Sequence, residues 1–197
     1  MKKNSTFIVM LVDKSGSMSL IKQGAIDGFN NFIKAQLEIK EKASATVCLF
    51  DSAYTYIVDN QPLEDVTLLD RYNYTPAGAT ALNDALGSTI NKVSQQIVSM
   101  PEKKRPSKVI VCVISDGEEN ASKEFSQAQI KSLIEYRKDQ FKWDFVFIGA
   151  NQDIARTREA YSFDVKATFA FDATLKGVQE GYTKLSSYVT TVRSSNN

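Results

Sequence analysis

The chain has 197 residues, with 24 lysines and arginines against 23 aspartates and glutamates, two cysteines and no histidine. This length is in the range of one domain, and a net charge of +1 predicts no broad basic surface for nucleic acid or an anionic membrane. The lack of histidine excludes a histidine general base, a Ser-His-Asp triad and a zinc site with histidine ligands.

Short apolar runs alternate along the chain with longer segments whose apolar residues recur at helical spacing. The predicted strands cover residues 7–12, 45–50, 54–58, 109–114, 143–148 and 168–171. The predicted helices cover residues 21–37, 82–97, 123–138, 153–161 and 175–192. The first run follows Lys2 and Lys3, but six apolar residues are too few for a signal peptide or a membrane span, which favours a buried strand.

This alternation predicts a doubly wound α/β fold with a mostly parallel sheet of about six strands and helices on both faces. One short antiparallel strand is expected at an edge. We expect a single domain over residues 1–193 and a flexible tail over 194–197. Cys48 and Cys112 lie singly in apolar runs, a pattern typical of buried reduced thiols, which favours a cytoplasmic location.

Oxygen-bearing side chains follow two of the predicted strands and precede the second long helix. Asp13, Ser15 and Ser17 follow the first strand, Asp116 follows the fourth, and Thr80 lies just before the helix. In open α/β sheets, ligands bind at the carboxyl ends of the strands. Residues two apart project the same way where a strand ends, so the first three oxygens can face one point.

These side chains offer oxygen ligands without imidazole or thiolate, which suits Mg²⁺ or Mn²⁺. Two carboxylates and three neutral hydroxyls leave such an ion with affinity for one more anionic oxygen from outside. The local alternative is helix capping, because serine, threonine and aspartate are also common in turns and at helix N-termini.

The three motif pieces together resemble a von Willebrand factor type A domain. The resemblance implies a Rossmann-like fold in which Asp13, Ser15, Ser17, Thr80 and Asp116 form a metal-ion-dependent adhesion site. It further implies that the aspartates bind the ion directly or through water, and that a partner protein completes its shell with Asp or Glu. It also implies that the strands with Cys48 and Cys112 flank the first strand, which argues against a disulfide. Residues 147–153 resemble stand-alone bacterial and phage members.

Four further residues are candidates for contact with a partner. Tyr72 and Tyr74 precede the Thr80 loop, and tyrosine is favoured at interface centres. Glu118 and Glu119 follow Asp116, although solvated loop acids are the simpler interpretation of this pair.

The sequence therefore favours a non-enzymatic, metal-dependent protein-binding module for adhesion or assembly. One alternative is a Mg²⁺-dependent phosphatase or hydrolase with Asp13 as nucleophile. Phosphatases of the haloacid dehalogenase type have a second aspartate two residues on, where this chain has Ser15, and no P-loop motif occurs. Another alternative is a metal ion that only braces the loops.

Overall fold

The computed structural model describes residues 5–150 and 154–195. Its single six-stranded sheet has the strand order β3-β2-β1-β4-β5-β6. The strands are β1 (Ser5–Asp13), β2 (Lys42–Phe50), β3 (Tyr54–Pro62), β4 (Lys108–Ser115), β5 (Asp144–Ala150) and β6 (Thr168–Phe171). The helices are α1 (Lys22–Leu37), α2 (Leu82–Ser99), α3 (Gln127–Phe141), α4 (Ile154–Tyr161) and α5 (Leu175–Ser194).

Five of the strands are parallel, and β3 pairs antiparallel with β2 at the edge. This confirms the predicted α/β fold class. The predicted antiparallel edge strand is also confirmed, but with nine residues β3 is longer than the predicted 54–58. Its pairing with β2 is irregular, with two register shifts between Ala45 and Cys48. Residues 59–62 of β3 are polar or proline, so the apolar pattern that predicts a strand ends at residue 58.

The sheet separates two apolar cores, because successive side chains of each strand point to opposite faces. Ile8, Met10 and Val12 of β1 pack with α1 and α5 on one face. Phe7, Val9 and Leu11 pack with α2 and α3 on the other. Burying each such side chain contributes about 1.5–3 kcal/mol, so this central strand holds both layers together.

The two cysteines lie on the strands that flank β1. Cys48 on β2 packs in the core under α2 and α3, and Cys112 on β4 packs in the core under α1 and α5. Both thiols are free and buried on opposite faces of the sheet. The structure thus agrees with the expectation that they form no disulfide.

Several helix bounds differ from the prediction, and for two of them the structure gives a reason. α3 begins at Gln127 instead of residue 123, because Ser126 and Gln129 form a capping box there. α5 extends to Ser194, where the Lys108 ammonium donates hydrogen bonds to the carbonyls of Val192 and Arg193. Asp153, at the predicted start of α4, lies outside the described residues. Residues 196–197 of the predicted tail also lie outside them. The domain bounds and the tail therefore stay predictions.

None of the described helices is both long and apolar enough to cross a membrane.

Candidate metal centre

The carboxyl ends of β1 and β4 lie side by side at one edge of the sheet. Asp13 is the last residue of β1, and Ser115, the last residue of β4, immediately precedes Asp116. The two strands are parallel neighbours, so their carboxyl ends bring residues 103 positions apart to the same edge. Both aspartates are therefore placed by the sheet itself.

The two serines join these carboxylates through short contacts. The Ser17 hydroxyl donates a hydrogen bond of 2.5 Å to Oδ1 of Asp116. Oγ of Ser15 lies 3.1 Å from Oγ of Ser17. The backbone N–H of Ser15 donates to Oδ1 of Asp13 at 2.7 Å. The alternating side chains after β1 thus face the loop after β4, as the spacing predicts.

Thr80 reaches the same point from the third loop, next to Gly117. A β-carbon built on Gly117 would lie 2.9 Å from Oγ1 of Thr80. It would also lie 3.5 Å from Oγ of Ser17 and 3.6 Å from Oγ of Ser15. Three hydroxyls therefore lie within 4 Å of one point beside Gly117, where a side chain on this residue would crowd them. All five predicted ligand residues come together here.

The structure does not support helix capping as the role of these hydroxyls. Ser15 precedes the 3₁₀ turn Gly16–Ile21, but its side chain makes no capping hydrogen bond. Ile21 occupies the N-cap position of α1 and Ala81 that of α2, and neither has a side chain that can cap the helix. Thr80 lies one residue before the cap of α2. The Ser17 hydroxyl donates instead to Asp116, and the Ser15 hydroxyl lies beside that of Ser17.

The site carries negative charge without a basic partner among the described contacts. Asp13 is fully buried (0% exposed), and this burial raises the pKa of its carboxyl to about 6. Burial also raises the pKa of the half-buried Asp116. Lys14, next to Asp13, pairs instead with Asp51. A bound cation would favour the ionised form of both acids, so the donor set fits a hard divalent ion.

Hydroxyls are essential to any such site. Among the residues that the structure describes, no group of three or more carboxylates, thiols and imidazoles is close enough to hold a metal ion. Asp13 and Asp116 alone are two carboxylates, and the three hydroxyls complete the oxygen set.

Backbone hydrogen bonds fasten the Thr80 loop to its neighbours. Gly16 N–H donates to the Gly78 carbonyl at 3.0 Å, and Ala77 N–H donates to the Lys14 carbonyl at 2.8 Å. Gly78 adopts a φ of 72°, a left-handed conformation that favours glycine at this turn. The loop after β1 and the loop before α2 are thus held together by backbone hydrogen bonds.

The two candidate tyrosines have different environments. Tyr72 is 74% exposed, as expected for a residue that contacts a partner. Tyr74 is 0% exposed, and its hydroxyl donates to the Asp13 carbonyl at 2.5 Å. The expectation that Tyr74 belongs to a partner rim is therefore wrong, because the side chain is buried and its hydroxyl is bonded to the backbone of Asp13.

The two candidate glutamates also differ. Glu118 is exposed. Glu119 is half-buried, and its carboxylate accepts hydrogen bonds from the N–H groups of Asn83, Ala121 and Ser122. Only Glu118 presents its side chain freely to a partner in this structure.

Sequence reasoning missed two residues at this edge. The Ser115 hydroxyl donates to Oδ2 of Asp13 at 2.5 Å, so both oxygens of that carboxylate accept hydrogen bonds. Leu20, three residues after Ser17, is 86% exposed. The signal for Ser115 was its place beside Asp116 at a strand end. An exposed leucine has no sequence signal, because exposure depends on the neighbouring loops.

No protein-family model matches the sequence, and no curated protein matches it either. Comparison with solved structures, in contrast, finds many similar chains. The von Willebrand factor domain of the type V pili tip protein Mfa5 from Porphyromonas gingivalis has a TM-score of 0.69 and 10% identity. That match covers 99% of this chain and 98% of the Mfa5 chain.

The chain has the fold of a von Willebrand factor type A domain. Manganese-loaded TRAP protein of Plasmodium vivax has a TM-score of 0.62 and 19% identity, over 94% of this chain and 73% of TRAP. Proximal thread matrix protein 1 of the mussel byssus, with a zinc-occupied MIDAS motif, has a TM-score of 0.61 and 16% identity. Coverage is 92% of this chain and 46% of the mussel chain, so this chain spans less than half the length of that protein.

Proposed function

We propose that this chain is a metal-ion-dependent protein-binding module. Asp13, Ser15, Ser17, Thr80 and Asp116 would hold a divalent cation, Mg²⁺ or Mn²⁺, at the carboxyl edge of the sheet. An Asp or Glu of a partner protein would complete the coordination. The observation that carries this proposal is the convergence of three hydroxyls beside Gly117, one of which donates a hydrogen bond to the Asp116 carboxylate, while Asp13 accepts from the N–H of Ser15.

The chain's own residues perform distinct tasks in this proposal. Asp116 and the hydroxyls of Ser15, Ser17 and Thr80 supply oxygens at the open edge. Asp13 lies deeper and supplies charge, while its hydrogen bonds with Ser15 N–H and the Ser115 hydroxyl hold the first loop in place. The cation, when bound, offers an electrophilic position for an external carboxylate. Such oxygen-only sites suit hard cations, and the manganese and zinc in the two structures of the same fold support a divalent ion.

The surroundings of the site support a protein partner. Leu20 and Tyr72 are exposed side chains on the segments that carry or adjoin the ligands, and Glu118 is exposed one residue after Gly117. Tyrosine and leucine supply apolar contact area around a polar centre, whereas Glu118 would repel partners with further acids. We propose that these three side chains border the partner's acid. A bacterial or phage origin and a cytoplasmic location stay predictions from the sequence.

No structural observation favours the phosphatase alternative. A nucleophilic aspartate must be reached by the substrate, but Asp13 is fully buried and both its oxygens accept hydrogen bonds. We therefore propose that the module is not an enzyme.

Titration of Mg²⁺ and Mn²⁺ into the metal-free protein tests the proposed site. We expect the wild type to bind one ion and Asp116→Ala to bind none, with Asp172→Ala, a carboxylate on the loop before α5, as the matched control. Selection of acid-containing peptides from a displayed library then tests the partner chemistry. Peptides that stay bound when EDTA is added, or that bind Asp116→Ala equally well, would contradict carboxylate capture by the metal. Thermal melts with metal but without peptide identify the bracing alternative, which predicts a large stabilisation and no peptide capture.

A further inference from the structure

The loop after Asp116 forms hydrogen bonds with both the N–H and the carbonyl of Thr80. The Asn120 side-chain carbonyl accepts a hydrogen bond of 2.9 Å from Thr80 N–H. The Thr80 carbonyl accepts hydrogen bonds from Asn120 N–H at 3.0 Å and from Ala121 N–H at 3.2 Å. Both backbone polar groups of this proposed ligand residue are therefore bound by one short segment that follows another proposed ligand.

Glu119 fastens the same segment to the first turn of α2. Its Oε2 accepts hydrogen bonds of 2.8 Å from Asn83 N–H and 2.8 Å from the Ser122 hydroxyl. Its Oε1 accepts from Ala121 N–H at 3.0 Å and from Ser122 N–H at 2.8 Å. One carboxylate thus joins the loop that carries Asp116 to the helix that follows Thr80. The N-terminus of α2 also favours a negative charge at this place.

Asp84 strengthens this connection from the side of the helix. Its carboxylate accepts hydrogen bonds from the N–H groups of Lys123, Glu124 and Phe125, and its own N–H donates to the Ser122 hydroxyl. The loop and α2 therefore hold each other reciprocally. Asp84 forms hydrogen bonds with residues 122–125, which lie farther along the loop than Glu119 and Asn120.

We infer that Glu119 and Asn120 are positioning residues of the metal centre. This inference rests on the proposed function and assigns to these two residues the placement of the Thr80 hydroxyl beside those of Ser15 and Ser17. A neutral hydroxyl is a weak ligand, so its contribution to affinity depends on being held at the site before the ion arrives. Glu119 therefore acts on the ion through Thr80 and not by contact with a partner.

The chain contains a matched control for this assignment. Glu118 is adjacent to Glu119, carries the same charge and is exposed, and it takes no part in the bonds between the loop and Thr80. Replacing either glutamate by glutamine removes one negative charge near the site. The difference between Glu119→Gln and Glu118→Gln therefore reports mainly the hydrogen bonds of Glu119, because both variants lose one negative charge beside Asp116.

The test is Mn²⁺ binding, followed by the electron paramagnetic resonance signal of the free ion, in the wild type and four variants. We expect Glu119→Gln and Asn120→Ala to raise the Mn²⁺ Kd by about 10- to 100-fold, the range for residues that orient metal ligands. Because Mn²⁺ binding is measured here without a partner, we expect Glu118→Gln to stay within about twofold of the wild type, as for other exposed charges. Asn120→Asp keeps the acceptor for Thr80 N–H and should restore binding.

Thermal melting of the metal-free variants separates positioning from simple stability. Equal Mn²⁺ affinity in Glu119→Gln and Glu118→Gln, or a lower Tm with unchanged affinity, would overturn the inference while leaving the proposed function intact. Should Glu119→Gln not fold, Asn120→Ala decides, because Asn120 is exposed. A wild type that binds no Mn²⁺ overturns the proposed function, and with it this inference.

Discussion

The Tyr74 hydroxyl donates a hydrogen bond of 2.5 Å to the backbone carbonyl of Asp13, 61 residues earlier in the chain. This bond ties the segment before Thr80 to the last residue of β1. Burial raises the pKa of the Tyr74 phenol well above its ordinary value, so the hydroxyl remains a donor at all physiological pH values. Tyr74 therefore supports the site from inside.

Tyr74→Phe should destabilise the protein without removing the buried ring. The change leaves the Asp13 carbonyl without this donor, which costs about 1–3 kcal/mol. For a chain of this size, that corresponds to a decrease in Tm of roughly 2–4 °C per kcal/mol. Thermal denaturation measures the effect, and Tyr72→Phe, at an exposed tyrosine, should leave Tm unchanged. Equal effects of the two variants would contradict the inward role of Tyr74.

Gly117→Ala should block metal binding. The added methyl group would lie 2.9 Å from Oγ1 of Thr80, closer than a β-carbon tolerates, so the hydroxyl has to move away. Calorimetric titration with Mg²⁺ should show binding at least about tenfold weaker than in the wild type. Gly181→Ala, on α5 against the Phe171 ring, is the control and should bind Mg²⁺ normally. Normal binding by Gly117→Ala would exclude the space at Gly117 as part of the site.

Stabilisation by Mg²⁺ should increase between pH 5 and pH 7.5. Burial raises the pKa of Asp13 from 3.8 to about 6, so the metal-free folded protein holds a proton here that the unfolded chain has lost. The contribution of Asp13 to stability is therefore fully present below about pH 4 and is lost as the pH rises through 6. A cation competes with that proton, so the Mg²⁺-induced increase in Tm should be small at pH 5 and large at pH 7.5.

The control for this pH dependence is Asp13→Asn, which removes the titrating group. In this variant, the Tm of the metal-free protein should lack the part of the decrease between pH 4 and pH 6 that comes from ionisation of Asp13. A wild-type Mg²⁺ shift that is the same at pH 5 and pH 7.5 would argue against cation binding next to Asp13.

Lys108→Met should lower stability without changing metal affinity. The buried Lys108 ammonium donates to the carbonyls of Val192 at 2.7 Å and Arg193 at 2.9 Å, at the opposite end of the sheet from the metal centre. Methionine retains the apolar stem but leaves these carbonyls without their donor, at a cost of about 1–3 kcal/mol. Urea denaturation should detect the loss, whereas the Mg²⁺ Kd should match the wild type. A weaker Kd would show that the C-terminal end of α5 is coupled to the metal centre.

Local patterns in the sequence were sufficient for the fold class and for the five candidate ligands. Strands such as β1 and β4 are apolar on both faces, which is typical of a covered parallel sheet. Residues 168–171 were predicted as a strand with the bounds that the structure has. Asp13, Ser15 and Ser17 converge because alternate residues project alike where a strand ends, a property of the backbone itself.

Tertiary structure alone distinguished chemically identical neighbours. Glu118 and Glu119 are adjacent, as Tyr72 and Tyr74 nearly are, yet one of each pair is exposed and the other is held by hydrogen bonds. Their partners, Asn83 and Asp13, lie 36 and 61 positions away. Sequence determined which oxygens are available at the edge of the sheet. Only the folded loops decided which side chains are held by hydrogen bonds and which are exposed, because these bonds join segments that meet only after folding.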